Sequence, residues 1–288
     1  MRILITGGSG LLGSAISVCL RGFYDVISAY SSNKVEIKGC KAINLDITNR
    51  NHTNAKIEKI NPELIIHAAA LVGIAACEKN PELAHLINVS GTENIVHASK
   101  KVDSRLIYIS TDYVFDGKKE MYGENDIPNP INVYGKTKLD GEKFIDIDKN
   151  AIIRTSIYGW NIIKDRKSFS SWVIQELENH RKINVFDDQY NSMMLVNDLA
   201  VALREIIDTQ YKGIINIASK EKFSKYNFAV NLAKTFGFDG SLINPINNEE
   251  VSGHEMRPLD VSLDISKAKK HLKMKLPDLK VGLLHLKE

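Results

Sequence analysis

Apolar residues along this chain fall into two patterns that take turns. Short unbroken runs alternate with stretches in which apolar residues recur every third or fourth position. Arg2-Ile-Leu-Ile-Thr6, Asp25-Val-Ile-Ser-Ala-Tyr30, Lys41 to Leu45, Leu64-Ile-Ile-His-Ala68, Arg105-Leu-Ile-Tyr-Ile109 and Ala151-Ile-Ile-Arg154 have the length and content of buried strands. Between them, Ser14 to Arg21 sets Ala15, Ile16 and Cys19 on one helical face, and Asn54 to Ile60 and Val133 to Ile147 also read as helices. Asn61-Pro62 stops the helix before it. Pro81 to Lys101 reads as one long helix, with Pro81 in its first turn and the polar Asn88 within it. Strands alternating with helices predict an α/β fold with a doubly wound parallel sheet.

Beyond Thr155 the alternation loosens. Ser168 to His180 reads as a helix, Ile183-Asn-Val-Phe186 as a strand, and Asn197-Asp198 as the cap of a helix reaching Asp208. Gly213-Ile-Ile-Asn-Ile-Ala218 is a strand, and Ser224 to Phe236 a helix closed by Gly237. Arg257 to Leu263 is extended and Ser266 to Leu272 helical. The expected division is a dinucleotide-binding domain at 1–155, joined by elements near 183–210. Residues 156–288 then form a smaller, mixed α/β C-terminal lobe that covers the cleft.

Composition narrows the class without choosing a chemistry. The chain has 288 residues, 43% hydrophobic and 25% charged, as soluble globular proteins do. A net charge of +3 is too small to point to nucleic acid. Cys19, Cys40 and Cys77 have neither metal nor disulfide spacing, which suits a reducing compartment. Glycines interrupt the first apolar run at once, so it is no signal peptide, and no apolar segment approaches the ~18 residues needed to span a bilayer. The expectation is a cytoplasmic protein with no membrane or nucleic-acid partner.

A glycine motif follows the first strand directly. Gly7-x-x-Gly10-x-x-Gly13 between a strand and a helix lets backbone approach a pyrophosphate at the helix N-terminus. Leu11 and Leu12 lie inside the motif. The second strand ends not in a carboxylate, which would bind the ribose hydroxyl of NAD, but in Ser31-Ser32-Asn33-Lys34. Small hydroxyls and a lysine suit a 2′-phosphate, so NADP(H) is preferred and NAD(H) remains open. Ala68, Ala69 and Ala70 leave room for a cofactor beyond the fourth strand.

The stretch from Ser110 to Lys138 carries the candidate chemistry. Ser110 and Thr111 emerge at the carboxyl end of a strand, where open α/β sheets place ligands. Tyr134 and Lys138 stand at i and i+4 and share a helix face. A second Tyr-x-x-x-Lys, Tyr30 to Lys34, has no such setting. An ammonium beside a phenol favours the phenolate, so Tyr134 is expected to exchange a proton nearer neutral pH than a free tyrosine. Thr111 would hydrogen-bond the same substrate oxygen. The connection from Asp112 to Ile131 is long and rich in Pro, Gly and Asn, as functional loops are.

Together these motifs resemble the extended short-chain dehydrogenase/reductase superfamily and, within it, the dTDP-4-dehydrorhamnose reductase family. The resemblance rests on Thr-Gly-Gly-Ser-Gly-Leu-Leu-Gly at 6–13, Leu-Asp-Ile-Thr at 45–48 and His-Ala-Ala-Ala at 67–70. It continues with Ser-Thr-Asp-Tyr-Val-Phe-Asp-Gly at 110–117, Pro-Ile-Asn-Val-Tyr-Gly-Lys-Thr-Lys at 130–138, Arg-Thr-Ser at 154–156 and Arg-Pro at 257–258. It implies a Rossmann fold and NAD(P)H-dependent reduction of a 4-keto group on a nucleotide-linked 6-deoxyhexose, dTDP-4-dehydrorhamnose to dTDP-L-rhamnose. In that family's pattern Tyr134 protonates the C4 oxygen, Thr111 hydrogen-bonds it, and Lys138 holds the nicotinamide ribose. Asp112 and Tyr113 contact the sugar, Arg257 faces the substrate diphosphate, and Asp46 and Ile47 border the adenine. Helices 81–101 and 133–147 form the superfamily's usual dimer surface, so a homodimer is possible.

Several positions depart from the pattern. The loop reads Gly10-Leu-Leu-Gly13 where Gln often stands, Ile157 replaces a common Trp, Ser192-Met193-Met194 replaces Ser-Pro-Thr, and His67 stands where Asn is common. Ser14 and Ala15 offer no carboxylate for the intersubunit metal of some members, so no metal is expected. A 4,6-dehydratase would carry Glu where Tyr113 stands. A C4 epimerase and the non-catalytic relative that binds methionine adenosyltransferase are the remaining alternatives.

Overall fold

The structure is a computed structural model that describes residues 1–163, 167–250 and 257–288. Seven strands build one sheet: β1 (Arg2–Thr6), β2 (Asp25–Tyr30), β3 (Lys41–Asn44), β4 (Leu64–His67), β5 (Arg105–Ile109), β6 (Ala151–Arg154) and β7 (Gly213–Asn216). Their order is β7-β6-β5-β4-β1-β2-β3, and every pairing is parallel. The chain reverses its direction across the sheet between β1 and β4, the switch point at which such sheets open a crevice. Register brings Thr6 opposite His67 and His67 opposite Tyr108 at the carboxyl ends.

Alternate residues of each strand face opposite sides. Ile3, Ile5, Ile66, Ile107 and Ile153 pack one way, with Ile16 of α1 (Leu11–Leu20) beneath them. Leu4, Ile65, Leu106, Tyr108 and Ile152 pack the other way, over Ile57 of α2 (Arg50–Ile60). The helix expected over 81–101 is interrupted. After α3 (Ile74–Lys79), α4 (Pro81–His85) runs into a π-helical turn, Leu86–Ser90, before α5 (Gly91–Lys101). Asn88 sits in that turn and is buried.

The next helix, α6 (Val133–Glu142), stops short of the expected Ile147. Asp146 captures local backbone instead: its carboxylate accepts from Asp148 N, and its carbonyl from Asn150. The remaining helices are α7 (Phe169–Glu178), α8 (Val196–Asp208), α9 (Lys225–Phe236), α10 (Ser266–His271) and α11 (Leu279–Lys287). Asn197-Asp198 is not the cap of α8, which begins at Val196 with Leu195 as its N-cap. The Asp198 carboxylate bonds His285 Nδ1 at 2.8 Å, so a tertiary partner takes the oxygen a cap would need.

A second core gathers Val173 and Leu177 of α7, Phe228 and Leu232 of α9 and Leu283 of α11 around Tyr158 and Val185. Of the 183–210 stretch, α8 packs on α1, while Ile183–Phe186 pairs in parallel with Ile243–Ile246 inside this second core. Among the described residues no helix is long and apolar enough to cross a membrane.

Candidate active site

The glycine loop has a shape that only glycine permits at two points. Gly7 has φ +70°, and a Cβ there would come within 2.8 Å of the Ala69 backbone. A Cβ on Gly13 would lie 2.2 Å from the Gly7 carbonyl oxygen, so α1 and the loop touch through bare backbone. Gly10 is the N-cap of α1, and no side chain caps the helix or puts an acid in its first turn. Its terminal N–H groups are therefore open to an anion. Loop and helix fit a dinucleotide pyrophosphate. Leu12 turns its side chain into the core, which leaves its backbone to face a ligand, and Leu11 is half-buried.

Ser31 and Ser32 are exposed beyond β2, and Lys34 ion-pairs with Glu36 at 2.5 Å. Asp46 accepts from Thr48 N at 2.9 Å and Thr48 Oγ1 at 2.7 Å, closing a turn of its own. Ile47 is pressed against Gly91, and its carbonyl accepts from Asn94 Nδ2 at 2.9 Å. Ala68, Ala69 and Ala70 are half-buried at the end of β4. Asn88 holds the chain just after them. Its Oδ1 accepts from Leu71 N at 2.8 Å, and its Nδ2 donates to Leu71 O at 3.1 Å and Thr137 Oγ1 at 3.0 Å.

Below the crevice His67 is fully buried, with Nδ1 2.7 Å from Thr6 Oγ1 and Nε2 3.1 Å from Thr92 Oγ1. Burial pulls its pKa down to about 3, helped by Lys138, so it is neutral.

The end of β5 is held by a buried ion pair. Arg154 donates Nε and Nη2 to Glu142 at 3.0 and 2.7 Å, and Ser110 Oγ donates to the same carboxylate at 2.5 Å. Next along the chain, Thr111 caps the short turn Asp112–Val114, its Oγ1 accepting from Tyr113 N at 3.2 Å and donating to Asp112 Oδ1 at 3.0 Å. The Thr111 hydroxyl also acts on the Tyr134 phenol, lowering its affinity for the proton. The Tyr113 and Tyr134 rings meet edge to face, 6.1 Å apart. Lys138, on the same helix, is buried with Nζ 4.1 Å from the Tyr108 ring centroid, a cation–π distance.

The proton affinities differ from the expectation for an ammonium beside a phenol. Burial pushes the Tyr134 phenol up, and the Thr111 hydroxyl offsets only part of that. Burial pulls the Lys138 amine down to about 7 against the field of Glu142. Desolvation dominates both shifts, and neither group is among the causes acting on the other.

Asp112 is 1% exposed, and burial raises its carboxyl to about 6, against Lys225, Thr111 and Ser156. Burial pulls Lys225 down to about 8, with Asp112 raising it and Arg257 lowering it. Arg257 also lowers the Tyr113 phenol, which burial has pushed up. Thr111, Asp112, Tyr113, Tyr134 and Arg257 thus lie together with Lys225, which no motif had singled out, and Lys138 stands one helical turn beyond Tyr134. On sequence, Ser224-Lys225 reads as a helix cap followed by a solvated lysine, with nothing to relate it to Asp112.

A family model for the RmlD substrate binding domain matches residues 1–287. The chain belongs to this family. Methionine adenosyltransferase 2 subunit beta of Xenopus laevis is 33% identical over 284 residues, covering 93% of this chain and 82% of that protein. A hypothetical dTDP-4-dehydrorhamnose reductase from Sulfolobus tokodaii has a solved structure that superposes with a TM-score of 0.87. It is 38% identical, covering 97% of this chain and 98% of the other. The dTDP-4-dehydrorhamnose reductase of Bacillus anthracis, solved in complex with NADP, gives a TM-score of 0.85 at 29% identity, covering 99% and 98%. The motif resemblance and the RmlD family match agree on the extended short-chain dehydrogenase/reductase superfamily.

Proposed function

We propose that this protein reduces the 4-keto group of a nucleotide-linked 6-deoxyhexose, converting dTDP-4-dehydrorhamnose to dTDP-L-rhamnose. The observation that carries the reading is the meeting of Thr111, Tyr134 and Lys138 at the end of β5, across the sheet's switch point from the glycine loop. The cofactor is a nicotinamide dinucleotide, NADP(H) before NAD(H), and it supplies hydride to C4 when bound. Gly7, Gly10, Leu11, Leu12 and Gly13 hold its pyrophosphate through backbone, and Ser31 and Ser32 offer hydroxyls to a 2′-phosphate. Asp46 and Ile47 border the adenine, and Ala68, Ala69 and Ala70 the inner part of the dinucleotide.

Tyr134 gives its phenolic proton to the C4 oxygen. Its raised pKa keeps that proton in place until charge develops on the oxygen. Thr111 turns its single hydroxyl proton from Asp112 to the same oxygen. Lys138 binds the nicotinamide ribose, and burial brings its pKa to about 7. Asp112 and Tyr113 orient the sugar, and Arg257 faces the diphosphate.

Oxidation of NADPH, and separately NADH, with fresh dTDP-4-dehydrorhamnose tests this. Cofactor loss with a C4-reduced product supports it, and no turnover of that sugar removes it. The 33% identity to methionine adenosyltransferase 2 subunit beta favours a second reading, a regulatory subunit that binds a synthetase. Capture of methionine adenosyltransferase without sugar turnover would select that reading.

A further inference from the structure

Two groups of opposite charge in the crevice leave hydrogen-bonding capacity unused. Asp112 Oδ1 takes the Thr111 hydroxyl, whereas the buried Oδ2, with Ser156 as a polar neighbour, makes no hydrogen bond of normal geometry. Lys225 has three donors, and its side-chain hydrogen bond among the described residues goes to the thioether of Met193 at 3.1 Å, a weak acceptor. The Phe169 ring centroid lies 5.1 Å from the same ammonium. Asp112 N donates to Thr155 O at 3.3 Å, and Met194, next to the Met193 that Lys225 touches, donates its N–H to Ser156 O at 2.8 Å, so both side chains stand over the residues just past β6. Each feels the other's charge, yet no ion pair joins them among the described residues.

Secondary structure holds Lys225 in this place. Phe223–Ser224 pairs antiparallel with Tyr190–Asn191, and Asn191 Nδ2 reaches Ser156 Oγ at 3.3 Å, beside the end of β6. Ser224 Oγ accepts from Asn227 N at 3.0 Å and donates to Asp187 at 2.6 Å, which fixes the start of α9. A hydroxyl between them would have a proton for Oδ2 and a lone pair for Nζ. A second anion would meet Asp112, and a second cation would meet Lys225.

We propose that Asp112 and Lys225 clamp one hydroxyl of the sugar, and that Lys225 selects substrates that carry it. This rests on the sugar-nucleotide reading above. Thr111, which serves the C4 oxygen in that reading, is one hydrogen bond from Asp112, so the clamped group neighbours C4. C5 of a 4-keto-6-deoxyhexose bears only the ring oxygen and the methyl carbon, which leaves the C3 hydroxyl. A site built around a hydroxyl rejects an analogue without it, because the buried Asp112 oxygen is then left unpaired.

Calorimetric binding to the full chain with NADP⁺ present tests the clamp, with dTDP, dTDP-L-rhamnose and the 3-deoxy analogue of dTDP-L-rhamnose as ligands. The wild type should bind dTDP-L-rhamnose at least about tenfold more tightly than the 3-deoxy analogue. Lys225→Met should bring that ratio close to one with dTDP affinity kept, and Lys225→Gln, which retains a donor, should restore part of it. A ratio that survives in Lys225→Met overturns the clamp, as does a loss of dTDP affinity in that variant. Wild type that binds both sugars equally overturns the clamp and leaves the reductase reading standing. Wild type that binds none of the three ligands overturns both.

Discussion

Gly135 lies so close to Tyr113 that a Cβ on it would stand 2.1 Å from the Tyr113 carbonyl oxygen. The contact sets the start of α6 directly on the turn after Thr111. Tyr134, one residue before that glycine, is thereby set where the Thr111 hydroxyl lowers its affinity for the proton. The clash is with backbone, which cannot rotate away. Gly135→Ala should destabilise the protein by about 1–3 kcal/mol, read as a lowered urea midpoint, as overpacking does elsewhere. An unchanged midpoint would show that α6 can lift off the turn freely.

Tyr134→Phe keeps the ring that packs on Tyr113 and removes the proton donor. Turnover of dTDP-4-dehydrorhamnose should fall by about 10²–10⁴-fold. NADPH affinity, followed by fluorescence titration, should stay as in the wild type. Normal turnover would remove Tyr134 from the mechanism.

Glu142 and Arg154 form the buried ion pair behind the end of β5, with side chains 6% and 3% exposed. Glu142→Ala leaves the guanidinium buried without its partner and should cost about 3–5 kcal/mol in denaturant unfolding. Glu142→Leu combined with Arg154→Met removes both charges and should recover much of that loss. A double variant no better than the single one would mean that geometry, not charge, dominates.

His67 carries a pH signature. Its folded pKa is about 3, pulled down chiefly by burial, against an ordinary 6.5. Between these values the unfolded chain binds a proton that the folded chain does not, so stability falls as pH drops from 6.5 towards 3. The loss between pH 7 and 4.5 should be about 2–3 kcal/mol. Asp112, raised to about 6, contributes in the opposite direction over part of this range. The measurement is therefore the difference between wild type and His67→Asn in urea unfolding at the two pH values. A difference independent of pH would show that His67 is protonated equally in both states.

The sheet was legible in the chain because its signals are local. Each strand from β1 to β6 is a short apolar run, and the boundaries read from those runs lie within a residue or so of the observed ones. The glycine loop was legible for the same reason: its meaning depends on the strand before it and the helix after it. Less local features were missed. Asn88 looked like a polar residue on a long helix, whereas a π-helical turn rotates it onto Leu71 and Thr137. That turn has no signal in apolar spacing.

Sequence alone determined the parallel α/β order, the strand–glycine–helix unit and the shared face of Tyr134 and Lys138, since each follows from the chemistry of adjacent residues. Tertiary structure decided that β7 adds to β6, that Lys225 comes within the field of Asp112, and that Tyr134 holds its proton more tightly than an isolated phenol. The physical reason is common to all three. Pairing partners and desolvation arise from packing between segments distant in the chain, and no local pattern of residues encodes how deeply a group is taken out of water.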